Sequence, residues 1–395
     1  MKKTLHSYDA IVIGAGFSGA VMAERLASQL NLKVLVLDKR PHIAGNCYDK
    51  INEYGIRTHE YGPHLFHTNS EKVWEYLSQF TEWELYEHKV LGRIDGKLAP
   101  IPFNLNSLDI FYPPDQASSL TKLLMQNYGV GTKVPILELK KSSIPELQKL
   151  ADFIYNKIFL NYTCKQWGCT PEEISKEVMT RVPVEISRDD RYFHDRYQAL
   201  PKQGYTELIS RILNHQNIDI RKSTDALALL NLDFDEKKIH IDGKEFSGYL
   251  VYTGMLDELF NYQLGELPYR SLRFDFEYYS CDFFQSATTV NYPNENEFTR
   301  ITEFKHLLSD KDKKHVKGTT IVKEYPGNYD RHDINHNIPY YPVFTRQNKI
   351  MYENYKKLLF DFEKIIILGR LAEYRYFNMD DAVENSLNIF LDYDF

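Results

Sequence analysis

Short apolar runs alternate with polar, turn-forming stretches along this chain, a pattern that predicts an α/β protein. Residues 8–13 form an apolar run ending in glycines, residues 20–30 carry apolar side chains at helical spacing, and residues 33–37 (KVLVL) again read as buried strand. Strand, turn, helix and strand make a βαβ unit. Residues 43–69 are rich in Gly, His and Tyr and lack a period, which predicts a loop that lines something. Leu147, Leu150, Ile154 and Ile158 predict a helix over 142–161, in a mostly helical insertion, and a second helix is expected over 205–213. Short strands return over 218–252, with a hairpin turning at Asp242-Gly243, and continue at 272–279, 287–292 and 319–324. The charge-mixed stretch 309–317 reads as a solvated loop. Near the end KIIILGR is a buried strand closing on Gly369, and 379–390 has helical spacing.

Composition narrows the function. With 48 Lys+Arg against 55 Asp+Glu the net charge is -7, which offers no broad basic face for nucleic acid. Cys47, Cys164, Cys169 and Cys281 show no CxxC pair and no His partner at metal spacing, so neither a metal site nor a disulfide framework is expected. The start, MKKTLHSYDAIVIG, lacks an export signal, and no run approaches the roughly 20 apolar residues of a membrane span, so a cytoplasmic protein is expected. The 29 Tyr and 23 Phe suit stacking on flat ligands or ordinary core filling equally.

The motif GAGFSG follows a strand, opens a helix and precedes Asp38 at the end of the next strand, the context in which GxGxxG is informative. Gly14 allows the tight turn, Gly16 lets the backbone approach a pyrophosphate at the helix N-terminus, and Gly19 lets helix pack on strand, while Asp38 is placed for ribose hydroxyls. Lys39, Arg40, Gly45 and Asn46 follow directly, and Gly369-Arg370 supplies a second, chain-distant contact before a helix. Two such contacts favour a wrapped FAD over NAD. The fold class expected is a Rossmann-like FAD-binding domain with an inserted helical domain and an antiparallel β-sheet substrate domain. Residues 1–80 would form the FAD-binding core, completed by about 205–255 and 355–395; 81–204 the helical insertion; and 256–354 an antiparallel sheet lining the substrate cleft.

GAGFSG, LDKRPHIAGN, HEYGPHLFHTN, IPFNLNSL, YTCKQWG, RVPV, YFHDRYQALPKQGYT, VYTG, LPYRSLRF, KEYP and GRLAEYRYFNMDDAV, in that order over nearly the whole length, resemble the blocks of the UDP-galactopyranose mutase family. The resemblance implies an isomerase using FAD in its reduced form. Flavin N5 would attack the anomeric carbon of a nucleotide-linked sugar, and a flavin-sugar adduct would open and reclose as a furanose without net redox change. It also implies NAD(P)H or another reductant to prime the flavin, a homodimer, and a place in capsule or lipopolysaccharide biosynthesis. Carried over by motif, His64 and His67 lie against the flavin and Arg270 grips the diphosphate, these three being the catalytic candidates. Trp167 belongs to a mobile lid, with Tyr162 and Thr163 beside the nucleotide; Tyr197, Tyr325 and Tyr376 bond the diphosphate, with Asn261 on the same side. Phe17, Ser18, Leu65 and Met379 complete the cofactor set.

Three departures fall on the substrate side. Glu185 stands where the family block continues with an arginine; a carboxylate facing a pyrophosphate would be repelled by roughly a kcal/mol or more, so Glu185 must point away or pair with a cation. Arg188 and Arg191 are the candidates to supply the missing charge. Asn378 replaces an acid, and Ile158 stands where an aromatic stacks on uracil. These differences leave open a substrate other than UDP-galactose, such as a GDP-linked heptose or UDP-N-acetylgalactosamine. An FAD oxidase or dehydrogenase, and a flavoprotein that has lost its activity, are the readings from other classes.

Overall fold

A computed structural model describes residues 4–168, 183–294, 296–393 and 395. Its centre is a five-stranded parallel sheet in the order Ile218–Arg221, Val34–Leu37, Ala10–Ile13, Tyr249–Tyr252, Ile365–Ile367. Strand Val34–Leu37 is buried along its length and the central strand Ala10–Ile13 in all but its last residue, as continuous apolar runs require when both faces of a parallel sheet are covered. Helix Phe17–Gln29 and the C-terminal helix Met379–Asp392 pack on one face, and helices Leu256–Leu259 and Arg346–Leu359 belong to the other side with a small antiparallel sheet. That small sheet turns at Asp242-Gly243, both residues having positive φ as a tight hairpin demands.

A second layer is a seven-stranded sheet in the order Tyr341–Pro342, Tyr269–Tyr279, Thr319–Asn328, Arg300–Glu303, Thr289–Asn291, Val90–Ile94, Lys97–Ile101. It is antiparallel except where Thr289–Asn291 runs parallel to Val90–Ile94. The hairpin Val90–Ile94 with Lys97–Ile101 corrects the expectation for 81–204: it joins the large sheet, turning at Asp95-Gly96, while helices Leu105–Phe111, Pro114–Tyr128 and Pro145–Ile154 build their own core against its edge. The long helix expected over 142–161 starts at Pro145, passes through a π-helical stretch at Tyr155–Leu160 and ends as Asn161–Trp167. Two stretches read as loop carry order. Residues 43–69 hold three short strands, and in 309–317 the Ser309 side chain accepts the Asp312 amide and starts the helical turn Asp310–Lys313. No helix among the described residues is long and apolar enough to cross a membrane.

Candidate active site

The cleft at the carboxyl ends of the parallel strands is lined by Gly14, Gly16, Phe17, Ser18 and Gly19, by Asp38, Lys39, Gly45 and Asn46, and by His64, Gly369, Arg370, Asn378 and Met379. Its floor is backbone. A Cβ on Gly14 would lie 2.0 Å from Thr253 Oγ1, and one on Gly19 would lie 2.0 Å from the Gly14 carbonyl oxygen, so both positions are closed by the protein itself. A Cβ on Gly16 meets nothing nearer than Gly45 Cα at 3.8 Å, so the space over that turn is open. Asp38 holds the turn together: one carboxylate oxygen accepts the Ala15 amide at 2.8 Å and the other the Arg40 amide at 2.8 Å.

Two buried polar atoms in this lining, Arg40 Nη1 and Tyr340 Oη, have no hydrogen-bond partner among the described residues. An extended cleft with an open glycine turn at a helix N-terminus, cations at Lys39 and Arg40, and these two donors fits a dinucleotide such as FAD. Sequence reading missed Thr224, Asp225, Tyr252, Thr253 and Tyr340 in the lining, because they reach it from other strand ends; Leu65 is not in the lining. His64 Nδ1 donates to the Gly62 carbonyl at 2.8 Å and its amide donates to His59 Nδ1 at 2.9 Å. Burial, with the neighbouring His59, pushes the His64 pKa down to about 3, so the ring is neutral and Nε2 carries its lone pair. Arg370 spends donors on the Phe377 and Tyr340 carbonyls and lies over the rings of Tyr341 and Tyr376, which makes it a brace between this cleft and its neighbour.

That neighbour is a polar cluster on the large sheet. Directly opposed residues on adjacent strands share a face, and here the row runs Asn291, Arg300, Glu324, Phe274. Phe274 packs against Gly62, beside His64. Arg300 Nε stands 3.4 Å from Glu324 Oε2, yet that Nε and Glu324 Oε1 lack hydrogen-bond partners among the described residues. Burial raises the Glu324 pKa although Arg300 opposes it. Tyr162, Tyr192 and Tyr341 stand close enough for the Arg300 charge to bear on each, and burial raises the pKa of all three. Tyr376 stacks on Tyr341 with centroids 5.7 Å apart, and the Trp167 ring lies 6.1 Å from Tyr341.

The structure thus brings Tyr162, Trp167 and Tyr376 together, around an arginine that the sequence reading did not single out. The signal was the strand TRITE, which carries charge at 300 and 303 in an otherwise strand-like pattern. Arg270 is buried, but its Nε and Nη2 donate to the carbonyls of Gln166 and Lys165 at 3.1 and 3.2 Å and its Nη1 to Asn328 Oδ1, so it caps the end of helix Asn161–Trp167. Thr163 is buried within that helix. Tyr325 stands on the next strand position after Glu324, under the Arg273 guanidinium at 3.9 Å.

Other expected residues lie elsewhere. His67 donates its place to the three-stranded sheet of Phe66–Thr68, Tyr197–Pro201 and Trp83–Leu85, with Nδ1 3.1 Å from Asp195 and its ring stacked on Phe193. Tyr197 stacks on Trp74 at 4.6 Å, so from that block it is Tyr192 that reaches Arg300. Asn261 is exposed at a left-handed turn after Leu256–Leu259 and does not line the cleft. Ile158 is packed in the core of the helical unit. Glu185 is buried and faces Lys133, its cross-strand partner, at 3.1 Å, with His194 at 3.3 Å, which is how it avoids an anion. Arg188 bonds Asp109 at 2.6 Å and Asn106 at 2.7 Å, and Arg191 is held by Asp189, so neither faces the cluster as a replacement cation. Asn378 opens the C-terminal helix, its amide donating to Asp381 Oδ2 at 2.8 Å.

Comparison with known proteins places the family and the fold. The family model described as UDP-galactopyranose mutase matches residues 157–376, and that of the NAD(P)-binding Rossmann-like domain matches residues 12–80. The chain is 32% identical to the dTDP-fucopyranose mutase of Escherichia coli, over 95% of this chain and 96% of that one. It is 33% identical to the UDP-galactopyranose mutase of Mycoplasma genitalium, over 96% of this chain and 93% of the relative. The fold matches a crystal structure of reduced UDP-galactopyranose mutase with a TM-score of 0.71 at 16% identity, over 97% of this chain and 93% of that one. A protoporphyrinogen oxidase-like structure matches more weakly, with a TM-score of 0.58 at 11% identity over 97% of this chain and 98% of that one. With a family model spanning more than half its length and relatives above 30% identity end to end, the chain belongs to the UDP-galactopyranose mutase family, a family of isomerases.

Proposed function

We propose that this protein is an FAD-dependent pyranose-furanose mutase of a nucleoside-diphosphate-linked sugar, active with the flavin reduced. The observation that carries the reading is the adjacency of a dinucleotide-shaped cleft and a part-buried guanidinium ringed by tyrosines, joined through Arg370. Bound in the cleft, reduced FAD supplies a nucleophilic nitrogen for the anomeric carbon; every other contribution comes from the chain.

Gly14 and Gly19 let the turn and helix close up on the protein, and Gly16 leaves room for the pyrophosphate at the N-terminus of helix Phe17–Gln29, where the helix dipole and free amides favour negative charge. Arg300, with its Nε unpaired, takes the substrate diphosphate, and Tyr162, Tyr192, Tyr341 and Tyr376 donate hydroxyls to it from a wall that excludes water. The charge left on a departing nucleoside diphosphate is thereby neutralised where it develops. Arg270 acts one step back, fixing the end of helix Asn161–Trp167 so that Trp167 and Tyr162 face the cluster. Neutral His64 presents Nε2 as an acceptor towards the cleft. NAD(P)H or another reductant primes the flavin and is not consumed in turnover.

The test is product analysis with dithionite-reduced holoprotein and a panel comprising UDP-galactose, UDP-N-acetylgalactosamine, a dTDP-linked 6-deoxyhexose and GDP-linked sugars. Appearance of the furanose form of one, with no stoichiometric use of oxygen or NAD(P)H, supports the proposal. Absence of conversion across the panel, or turnover that consumes an electron acceptor, overturns it.

A further inference from the structure

Behind the loop that carries His64 lies a second cavity, of about 600 Å³, that the mechanism above leaves without a task. Strands Asp49–Ile51 and Arg57–His59 pair as an antiparallel ribbon with Asp49 opposite His59 and Ile51 opposite Arg57, so these four side chains share one face, and that face lines the cavity. Residues from 201–205 and 307–316 supply the other sides. Arg57 lies where Gly204 lacks a side chain: a Cβ on Gly204, whose φ is +89°, would stand 2.4 Å from Arg57 Nη1. That Nη1 is 3.6 Å from Asp49 Oδ2, too far for a hydrogen bond, while the Asp49 oxygens accept the Tyr205 and Thr206 amides at 2.9 Å. The Arg57 guanidinium thus makes no hydrogen bond to any described residue.

His59, two residues along the same strand, is 3% exposed, and its Nδ1 accepts the His64 amide at 2.9 Å. Burial pushes its pKa below the ordinary value, so the ring is neutral and Nε2 carries the hydrogen. That N–H has no partner among the described residues yet is not sealed from solvent, and His59 borders this cavity and not the dinucleotide cleft. Leaving a buried donor unpaired is costly, so imidazole and guanidinium together mark a place that a ligand completes. Lys311 and His315 stand exposed in the wall with no side-chain partner among the described residues. Three carboxylates border the cavity too: Asp49 is taken up by amides, Asp312 accepts the Ser309 hydroxyl at 2.7 Å, and Glu84 is exposed near Lys202. Charge in the wall is balanced, and the unspent donors decide what is taken up. A carboxylate would give both oxygens to the guanidinium fork, whereas a phosphate has oxygens left for the imidazole N–H and for Lys311. We infer that this cavity is a binding site for phosphate, free or carried by a small metabolite, anchored by the Arg57 guanidinium and His59 Nε2. Its volume lies in the range of small-molecule sites. The occupant stands one imidazole away from the His64 amide, and its binding does not depend on the mutase chemistry proposed above.

The test is calorimetric titration of the oxidised holoprotein with inorganic phosphate and, separately, with a sugar 1-phosphate. Saturable binding of either supports the site where it depends on Arg57; tighter binding of the sugar phosphate names a metabolite as the occupant, and equal binding names the free anion. Arg57→Gln should weaken this binding by at least about tenfold, the loss of charge-assisted hydrogen bonds, with flavin content unchanged. Lys311→Gln, at an exposed position that leaves the fold alone, should weaken it by about two- to threefold, more at low salt than at high, and it decides the matter if Arg57→Gln fails to fold. Arg300→Ala should leave it within twofold. Absence of saturable binding of both probes overturns the inference. So does binding that Arg300→Ala abolishes and that Arg57→Gln and Lys311→Gln leave untouched, since the anion would then sit in the tyrosine cluster. These titrations involve no turnover, so their failure and a failure to isomerise any sugar of the panel are told apart.

Discussion

The dinucleotide cleft and the arginine-tyrosine cluster meet at Arg370 but are built in opposite ways. The cleft is made largely of backbone from strand ends in one parallel sheet, with glycines where side chains would intrude. The cluster is made of side chains delivered from a helix, two loops and three strands of another sheet. A backbone site tolerates little change in residue type at a few adjacent positions. A side-chain site can change its ligand by exchanging single residues far apart in the chain.

The largest effect that tests this contrast is expected at Gly16. A Cβ there clears the protein and enters only the space over the turn, so Gly16→Val should leave the melting temperature of the apoprotein near that of the parent while purified protein loses its flavin absorbance. Gly14→Val differs, because its Cβ would run into Thr253, and there both folding and flavin should suffer. If Gly16→Val retained flavin, the cleft would not be read through its backbone.

The same contrast explains how much the sequence disclosed. GAGFSG, Asp38 and the flanking strands are contiguous because one βαβ unit carries that part of the floor, so the fold and this part of the site could be read from spacing. Arg300 and Tyr341 left no such trace: each lies in a short strand whose function depends on what stands opposite it, and register between distant strands is not written locally. Arg270 drew attention through its motif, and its guanidinium donates to the carbonyls at a helix end, a contact that no motif announces. The hairpin at Asp95-Gly96 carried the same turn signal as Asp242-Gly243 and was missed because helical stretches follow it.

Next in size is Arg300→Ala. It removes the cation and leaves Glu324 buried without its partner, so nucleoside diphosphate affinity should fall by about 10²–10³-fold with flavin retained. Arg270→Ala acts through the helix end and should cost about tenfold, with a partial rescue by Arg270→Lys, because a single ammonium can still meet a carbonyl. Reversal of that order, measured by calorimetry with UDP and dTDP, would return Arg270 to the diphosphate.

Asp257 tests the joint between the two regions, since it follows the cleft residue Met255 and its Oδ2 accepts the Leu267 amide at 2.7 Å ahead of the strand bearing Arg270. Burial raises its pKa from 3.8 to about 6. Between those values the folded protein holds a proton that the unfolded chain has released, so stability falls as pH rises through the window and the whole penalty, on the order of 1–3 kcal/mol, is carried above it. Asp257→Asn should therefore raise the melting temperature above pH 6 and leave it unchanged near pH 4. A parent protein whose stability rises over that window would show that the carboxylate is welcome there.

The smallest effect is expected at Arg188, and it bears on whether the cluster has one phosphate cation or two. Its guanidinium is half exposed and bonds Asp109 and Asn106 on helix Leu105–Phe111. Exposed pairs of this kind contribute about 0–1 kcal/mol, because the charges are already well solvated and two long side chains must be held still. Arg188→Ala should thus leave turnover and nucleoside diphosphate affinity within twofold of the parent and shift the melting temperature only slightly. A tenfold loss of affinity at unchanged stability would mean that the loop carrying Arg188 swings onto the ligand, that the charge missing at Glu185 is restored in the bound state, and that the cluster is completed by substrate instead of standing ready for it.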